Sequence, residues 1–245
     1  FMINILKRGV FLIQNFGVIY AIHKGIIFFI AKIVKFLNNL FFKNNSKKYW
    51  NFRFLTDWVF VGGSNQTLYF ACGLFANIDK KDLENVKTII DFGCGTGDSS
   101  IVFKIFLPKA TVFLHDFSEV AVKKGLKKYE RFLNVEKANL EFQKFDLVYT
   151  SNVIEHVLDP VLFVKDLINL TNKYIIIQCP YEEYHPDGKN ITPQNPISEH
   201  FWTIDKEFIN KYIYVHKEFD WTYKVGIVPM AWQGGEQVFI FGKLK

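Results

Sequence analysis

Apolar residues along the chain switch repeatedly between two spacings. Runs rich in β-branched and aromatic residues predict buried strands at Thr88-Ile89-Ile90, Thr111 to Asp116, Asp146 to Thr150 and Tyr174 to Gln178, with a further strand expected near Leu133 to Lys137. Between them, apolar side chains recur every three or four residues. That period predicts helices over Asp98 to Leu107, stopped by Pro108, over Ser118 to Phe132 with Ser118 as N-cap, and over Val161 to Leu170. Strands alternating with helices fold as a mostly parallel sheet covered on both faces. The alternation then lapses. Cys179 to His200 is a 22-residue irregular stretch holding four of the seven prolines, and structureless segments of that length in compact domains commonly carry function. Beyond it, Phe201 to Tyr212 reads as a helix capped by Thr203. Val215 to Tyr223 and Gln237 to Phe241 read as closing strands, with Gly234-Gly235 as a turn.

The N-terminal quarter follows a different pattern. Gly9 to Ile22 is uncharged but broken by Gln14, Asn15 and Gly17, too short and too polar for a spanning helix. No small-residue cleavage site follows and a second apolar stretch does, which disfavours a secretory signal. Phe1 precedes Met2 and is left out of the fold reasoning. From Lys24 to Lys43 the chain is amphipathic, with Ile26, Ile27, Ile30, Ile33, Val34, Leu37 and Leu40 on one face and Lys24, Lys32, Lys35, Asn39 and Lys43 on the other. Charge sharpens the contrast. Residues 1–56 carry nine of the 30 basic residues and no acid, so the remaining 21 face 24 acids and the body is mildly acidic. A basic amphipathic helix suits either an anionic membrane surface, through residues 1–45, or packing on its own domain or a second copy. The expected organisation is an amphipathic arm and lid over residues 1–60 and one α/β domain over residues 61–245. Three scattered cysteines, Cys72, Cys94 and Cys179, fit a reducing cytoplasm and neither a disulfide framework nor a metal site. The acidic body argues against a nucleic-acid partner.

Candidate chemistry centres on Lys87 to Gly97, KTIIDFGCGTG, where the first strand ends in Asp91 and runs into glycines at Gly93, Gly95 and Gly97. Bare backbone at alternate positions lets a small ligand lie against the main chain. Asp98 stands where a dinucleotide fingerprint wants its third glycine, and no Gly-Lys-Ser/Thr follows, which excludes a P-loop. Asp91 instead offers a carboxylate to a cationic ammonium. Asp116 lies 19 residues after Gly97, near the offset at which an acid ending the second strand reaches ribose hydroxyls.

Asp91-Phe-Gly-Cys-Gly-Thr-Gly97 resembles the first motif of class I S-adenosylmethionine-dependent methyltransferases. Phe145 to Pro160, FDLVYTSNVIEHVLDP, resembles their fourth-strand motif. The resemblance covers roughly residues 86–241. It implies a Rossmann-like, doubly wound, seven-stranded sheet whose last two strands are antiparallel at one edge, with S-adenosylmethionine as cofactor and S-adenosylhomocysteine as product. Asp91, Gly93, Gly95, Gly97, Asp116 and Ser151 then become cofactor-binding residues, and Asn139 stands where related enzymes read the adenine amine. The segment before the first motif becomes a lid, in which Arg53 either pairs with a carboxylate or phosphate or stays solvated. The long loop after the fifth strand becomes an acceptor-binding wall.

Methyl transfer from a sulfonium is an in-line displacement that depends mainly on orientation and needs no metal. An alcohol acceptor benefits from a general base, for which His200 and His156 are the candidates, with His185 behind them. His156 also reads as a pocket-shaping member of the Glu-His-Val pattern, and Glu155 is assigned no proton transfer. The pattern looks like enzymes that O-methylate sugars or sugar-linked groups in bacterial surface-polysaccharide assembly, such as a capsule or lipopolysaccharide precursor. Two other readings stay open: methylation of a membrane lipid or quinone headgroup, and a cofactor-binding assembly subunit without turnover. A homo-oligomer is compatible with each of them.

Overall fold

Neighbouring residues of a strand point to opposite faces of a sheet, and in the central strands of this chain both sets are largely apolar. The computed structural model describes residues 18–56, 58, 62–129, 135–141, 143–228 and 235–245. Its strands are β1 (Thr88–Phe92), β2 (Thr111–His115), β3 (Val135–Lys137), β4 (Phe145–Ser151), β5 (Thr171–Pro180), β6 (Phe219–Ile227) and β7 (Glu236–Leu244). They form one sheet in the order β3-β2-β1-β4-β5-β7-β6. The first five are parallel, and β7 lies antiparallel between β5 and β6.

The helices are α1 (Val18–Phe41), α2 (Lys47–Leu55), α3 (Gly63–Asn77), α4 (Ser99–Phe106), α5 (Glu119–Tyr129), α6 (Pro160–Asn169) and α7 (Lys206–Tyr212). On one side of the sheet, Ile89, Val112, Leu114, Leu147 and Tyr149 pack with Phe70 and Leu74 of α3, Phe103 of α4 and Val122 of α5. On the other, Ile90, Phe113, Val148, Ile175 and Ile177 pack with Val164 and Leu167 of α6 and Phe208 and Ile209 of α7. Burial on both faces explains why the central strands read as largely apolar runs, whereas the edge strands β3 and β6 carry exposed polar residues. The α/β class, the seven-stranded sheet and its antiparallel edge are as expected.

The chain divides into two units, residues 1–63 and 64–245. In the first, Asn38 Nδ2 on α1 donates to the Tyr49 carbonyl on α2 at 3.3 Å. The covered stripe of α1 is Ala31 and Asn38, flanked by half-buried Ile27 and Val34, a step around the helix from the predicted face. Ile26, Ile30, Ile33, Leu37 and Leu40 of that face are exposed. Arg53 is buried with its guanidinium over the Trp50 ring, so the solvated alternative does not hold. No helix among the described residues is long and apolar enough to cross a membrane. The expectations for residues 9–17, for Phe132 and for Gly234 lie outside the described residues.

Several local readings need correction. The turn expected at Gly62-Gly63 is made by Gly62 alone, at φ +83°, and Gly63 opens α3. Cys179 belongs to β5, and the first irregular residue is Tyr181. The helix expected from Phe201 starts at Lys206, capped by Asp205, whose side chain accepts the Phe208 N–H at 2.8 Å. Thr203 is drawn into the preceding loop instead. Its hydroxyl accepts the Ile191 N–H at 2.8 Å and donates to the Glu183 carbonyl at 2.6 Å. The strand expected from Val215 starts at Phe219.

Candidate functional site

Strand order reverses between β1 and β4, and loops leaving adjacent strands in opposite directions open a crevice at the strands' carboxyl ends. The first of these loops is Gly93 to Asp98. Gly93, Gly95 and Gly97 have φ of +81°, +53° and +72°, backbone that side chains with a Cβ rarely adopt. At Gly93 a Cβ would also lie 2.4 Å from Cγ2 of Val153 in the loop after β4. The turn is tied to β2 by Gly93 and Cys94 N–H bonds to the His115 carbonyl, at 2.8 and 3.0 Å.

Two carboxylates flank this turn. Asp91 is buried, and its Oδ2 accepts the Ser99 hydroxyl at the start of α4. Burial pushes its carboxyl up to about 7; the Ser99 bond opposes the rise and the Asp116 and Asp98 charges add to it. Asp116 accepts the Gly95 N–H on Oδ2 at 3.0 Å and the Ser118 N–H on Oδ1 at 2.8 Å. It too is pushed up, to about 6, by burial working against those two bonds. A carboxylate has about four acceptor positions, so each Asp116 oxygen keeps capacity for a hydroxyl. Two acids raised by burial on either side of bare backbone suit a ligand that brings positive charge and hydroxyl donors.

Asp98 has a different task. It accepts the Thr96 hydroxyl at 2.5 Å on Oδ2 and both Tyr129 OH and Lys128 Nζ at 2.6 Å on Oδ1, pinning the loop to the end of α5. Nothing in the sequence marks this clamp; there Asp98 opened a predicted helix and excluded a dinucleotide fingerprint.

The second loop follows β4 and meets the segment between β5 and α7. Phe201 N–H donates to the Glu155 carbonyl at 2.7 Å, and Trp202 Nε1 donates to the Val157 carbonyl at 2.8 Å. The segment is an ordered flap, closed on itself by bridges between Tyr184 and Asn190, Thr192 and Asn195, and Ile197 and His200. Its straps bring together His156 and His200, 44 residues apart in sequence, with ring centroids 4.8 Å apart edge to face. His156 Nδ1 lies 2.9 Å from the Glu199 carbonyl, and His200 Nδ1 lies 2.5 Å from Glu183 Oε2. Burial acts to lower the His200 pKa, but the Glu183 bond and the Glu155, Glu183 and Glu199 charges outweigh it and leave it raised. Near both rings lies Glu155, 1% exposed, pushed up to about 7 by burial despite the opposing His200 charge.

The first group thus holds Asp91, the three glycines and Asp116 around one turn, and the second joins His156 and His200. Ser151 ends β4, where its hydroxyl accepts from Asn152 Nδ2 at 2.9 Å. Asn139 is exposed just past β3, its Oδ1 accepting the Glu141 N–H at 3.2 Å. His185 stays within the flap, Nε2 at 2.8 Å from the Asn195 carbonyl. Glu183 and Glu155 were not singled out as parts of a histidine cluster, and no local sequence signal links either to His200.

The family described as Methyltransferase domain matches residues 34–213. No curated protein sequence matches the chain. Among solved structures, the plantazolicin methyltransferase BpumL in complex with SAH has a TM-score of 0.58 at 12% identity, covering 90% of this chain and 100% of its own. A putative methyltransferase in complex with the Trm112 methyltransferase activator from Haloferax volcanii has a TM-score of 0.62 at 11% identity, covering 83% and 99%. Magnesium protoporphyrin IX methyltransferase (ChlM) from Synechocystis PCC 6803 with bound SAH has a TM-score of 0.53 at 17% identity, covering 76% and 85%. At these identities the likeness is one of fold.

Proposed function

The chain belongs to the methyltransferase-domain family, and from that membership we propose that it transfers a methyl group from S-adenosylmethionine to a hydroxyl of a small-molecule acceptor. One observation carries the cofactor reading: three positive-φ glycines lie between the buried carboxylate Asp91 and the half-buried Asp116 at the reversal of strand order. Asp91 would take the ammonium, the glycine backbone would admit the ligand's body, and Asp116 would accept the ribose hydroxyls. Ser151, at the carboxyl end of β4, and Asn139, just past β3, would be further cofactor contacts. When bound, the sulfonium supplies a methyl carbon already activated toward a nucleophile.

The protein's own part is to orient the acceptor and manage one proton, because the new O–C bond forms as the C–S bond breaks and a proton must leave the hydroxyl. With no cation bound, His200, held by Glu183 and facing His156, serves as the base. The neighbours named as complexes with SAH support the cofactor reading. Calorimetric titration with S-adenosylhomocysteine tests it directly, and occupation of the site by a nicotinamide or flavin in its place would overturn it.

For the acceptor, the Glu-His-Val run and the flap ending in Glu199-His200 favour a sugar precursor of capsule or lipopolysaccharide at the cytoplasmic face. The exposure of α1 favours the second reading, a lipid or quinone headgroup, since Phe29, Phe36, Leu40 and Phe41 are 64%, 66%, 63% and 69% exposed. Methyl transfer measured across nucleotide sugars, lipids and quinones separates the two. Cofactor binding with no methylated product from any extract would instead mark an assembly subunit.

A further inference from the structure

Glu155 is a buried carboxylate whose two oxygens receive no hydrogen bond. Its cationic neighbours are imidazoles, His156 at 3.9 Å and His200, whose charge opposes the burial. Burying a carboxylate without hydrogen bonds is unfavourable unless a cation or proton neutralises it. One atom each from Glu155, His156 and His200, a carboxylate oxygen and two ring nitrogens, lie within 4.8 Å of one another. His156 Nε2 is 3.9 Å from Glu155 Oε1.

The outer contacts fit the same pattern. His156 directs Nδ1 to the Glu199 carbonyl and His200 directs Nδ1 to the Glu183 carboxylate. A neutral imidazole that donates from Nδ1 presents its lone pair on Nε2. Metal-ligating histidines are held in this way, with the second ring N–H on a carbonyl or carboxylate. Two imidazoles and one carboxylate form a borderline donor set, suited to zinc-class cations and not to magnesium or calcium, which take oxygen ligands.

We propose that Glu155, His156 and His200 bind one divalent transition cation of the zinc class, leaving its fourth position to the acceptor oxygen. Ligand atoms on a tetrahedral zinc lie about 3.3 Å apart, given bonds of about 2.0–2.1 Å, so side-chain rotations of about an ångström close the site. A hydroxyl on such a cation loses its proton to water at neutral pH, and the imidazoles then act as ligands rather than bases. That role rests on the methyltransferase reading; the binding itself does not.

The test is titration of the full chain, freed of metal by chelation, with Co²⁺ alone, followed by visible absorption and calorimetry. The expected result is one equivalent bound, with absorption bands of low-coordinate cobalt. Glu183→Gln should weaken binding by the about 10–100-fold typical of an outer-shell partner, and Glu155→Gln and His200→Asn by more than that. His23→Asn, on the exposed surface of α1, should leave binding unchanged. Absence of one-equivalent binding, or binding that survives both Glu155→Gln and His200→Asn, overturns the proposal. Each variant is also titrated with S-adenosylhomocysteine, which reports an intact fold. If S-adenosylhomocysteine binds and cobalt does not, the cation site alone is refuted; if cobalt binds and S-adenosylhomocysteine does not, the methyltransferase reading alone is refuted.

Discussion

Replacing Asp91 by Asn should stabilise the ligand-free protein while weakening its hold on the cofactor. Asp91 is pushed up to about 7 by burial. An unfolded chain releases that proton near pH 4, so between about pH 4 and 7 the folded state binds more protons and stability falls as pH rises. Above pH 7 the loss is complete, on the order of 4 kcal/mol for a carboxyl moved this far. Asparagine keeps an acceptor for the Ser99 hydroxyl and carries no charge, but its amide N–H₂ lacks a buried partner, which takes back about 1–3 kcal/mol. The net gain of about 1–3 kcal/mol corresponds to a rise of about 3–10 °C in Tm for a unit of this size. Differential scanning calorimetry at pH 8 should show that rise, and at pH 4.5 the variant should gain little or nothing. Losing a charge-assisted contact worth about 1.5–3 kcal/mol should weaken S-adenosylhomocysteine binding roughly 10- to 150-fold. A variant less stable at pH 8, or equally stabilised at both pH values, would show that no buried-charge cost exists at this position. Unchanged S-adenosylhomocysteine affinity would show that Asp91 is not the cofactor's seat.

Three further outcomes are expected. Gly93→Ala combines a positive φ with a Cβ against Val153 and should cost about 1–2 kcal/mol of stability and most of the S-adenosylhomocysteine affinity, both read by thermal shift with and without the ligand. His200→Asn should lower kcat by about 10²–10⁴-fold with S-adenosylhomocysteine affinity nearly unchanged, and a loss confined to affinity would contradict its role in handling the proton. Substituting Ser for Phe29, Phe36 and Leu40 together should abolish cosedimentation of the full chain with anionic vesicles; equal cosedimentation of wild type and variant would exclude α1 as a membrane contact.

The α/β class was legible because β-branched runs such as Thr88-Ile89-Ile90 bury both faces of their strands, and that burial is written in every residue. The glycine turn and its two acids were legible for a related reason, since positive φ and strand-end position are local properties carried by residue type. The start of α7 was not, because Thr203 had two uses for its hydroxyl and only the packed loop around Ile191 and Glu183 chose between them. Nor was the covered stripe of α1, which depends on where Tyr49 presents its carbonyl. The chain alone therefore determined the sheet, the turn and the carboxylates beside it. Only the tertiary structure decided that Glu155 lies buried beside His156 and His200, since burial and the meeting of residues 44 positions apart arise when the flap bonds back to the loop after β4.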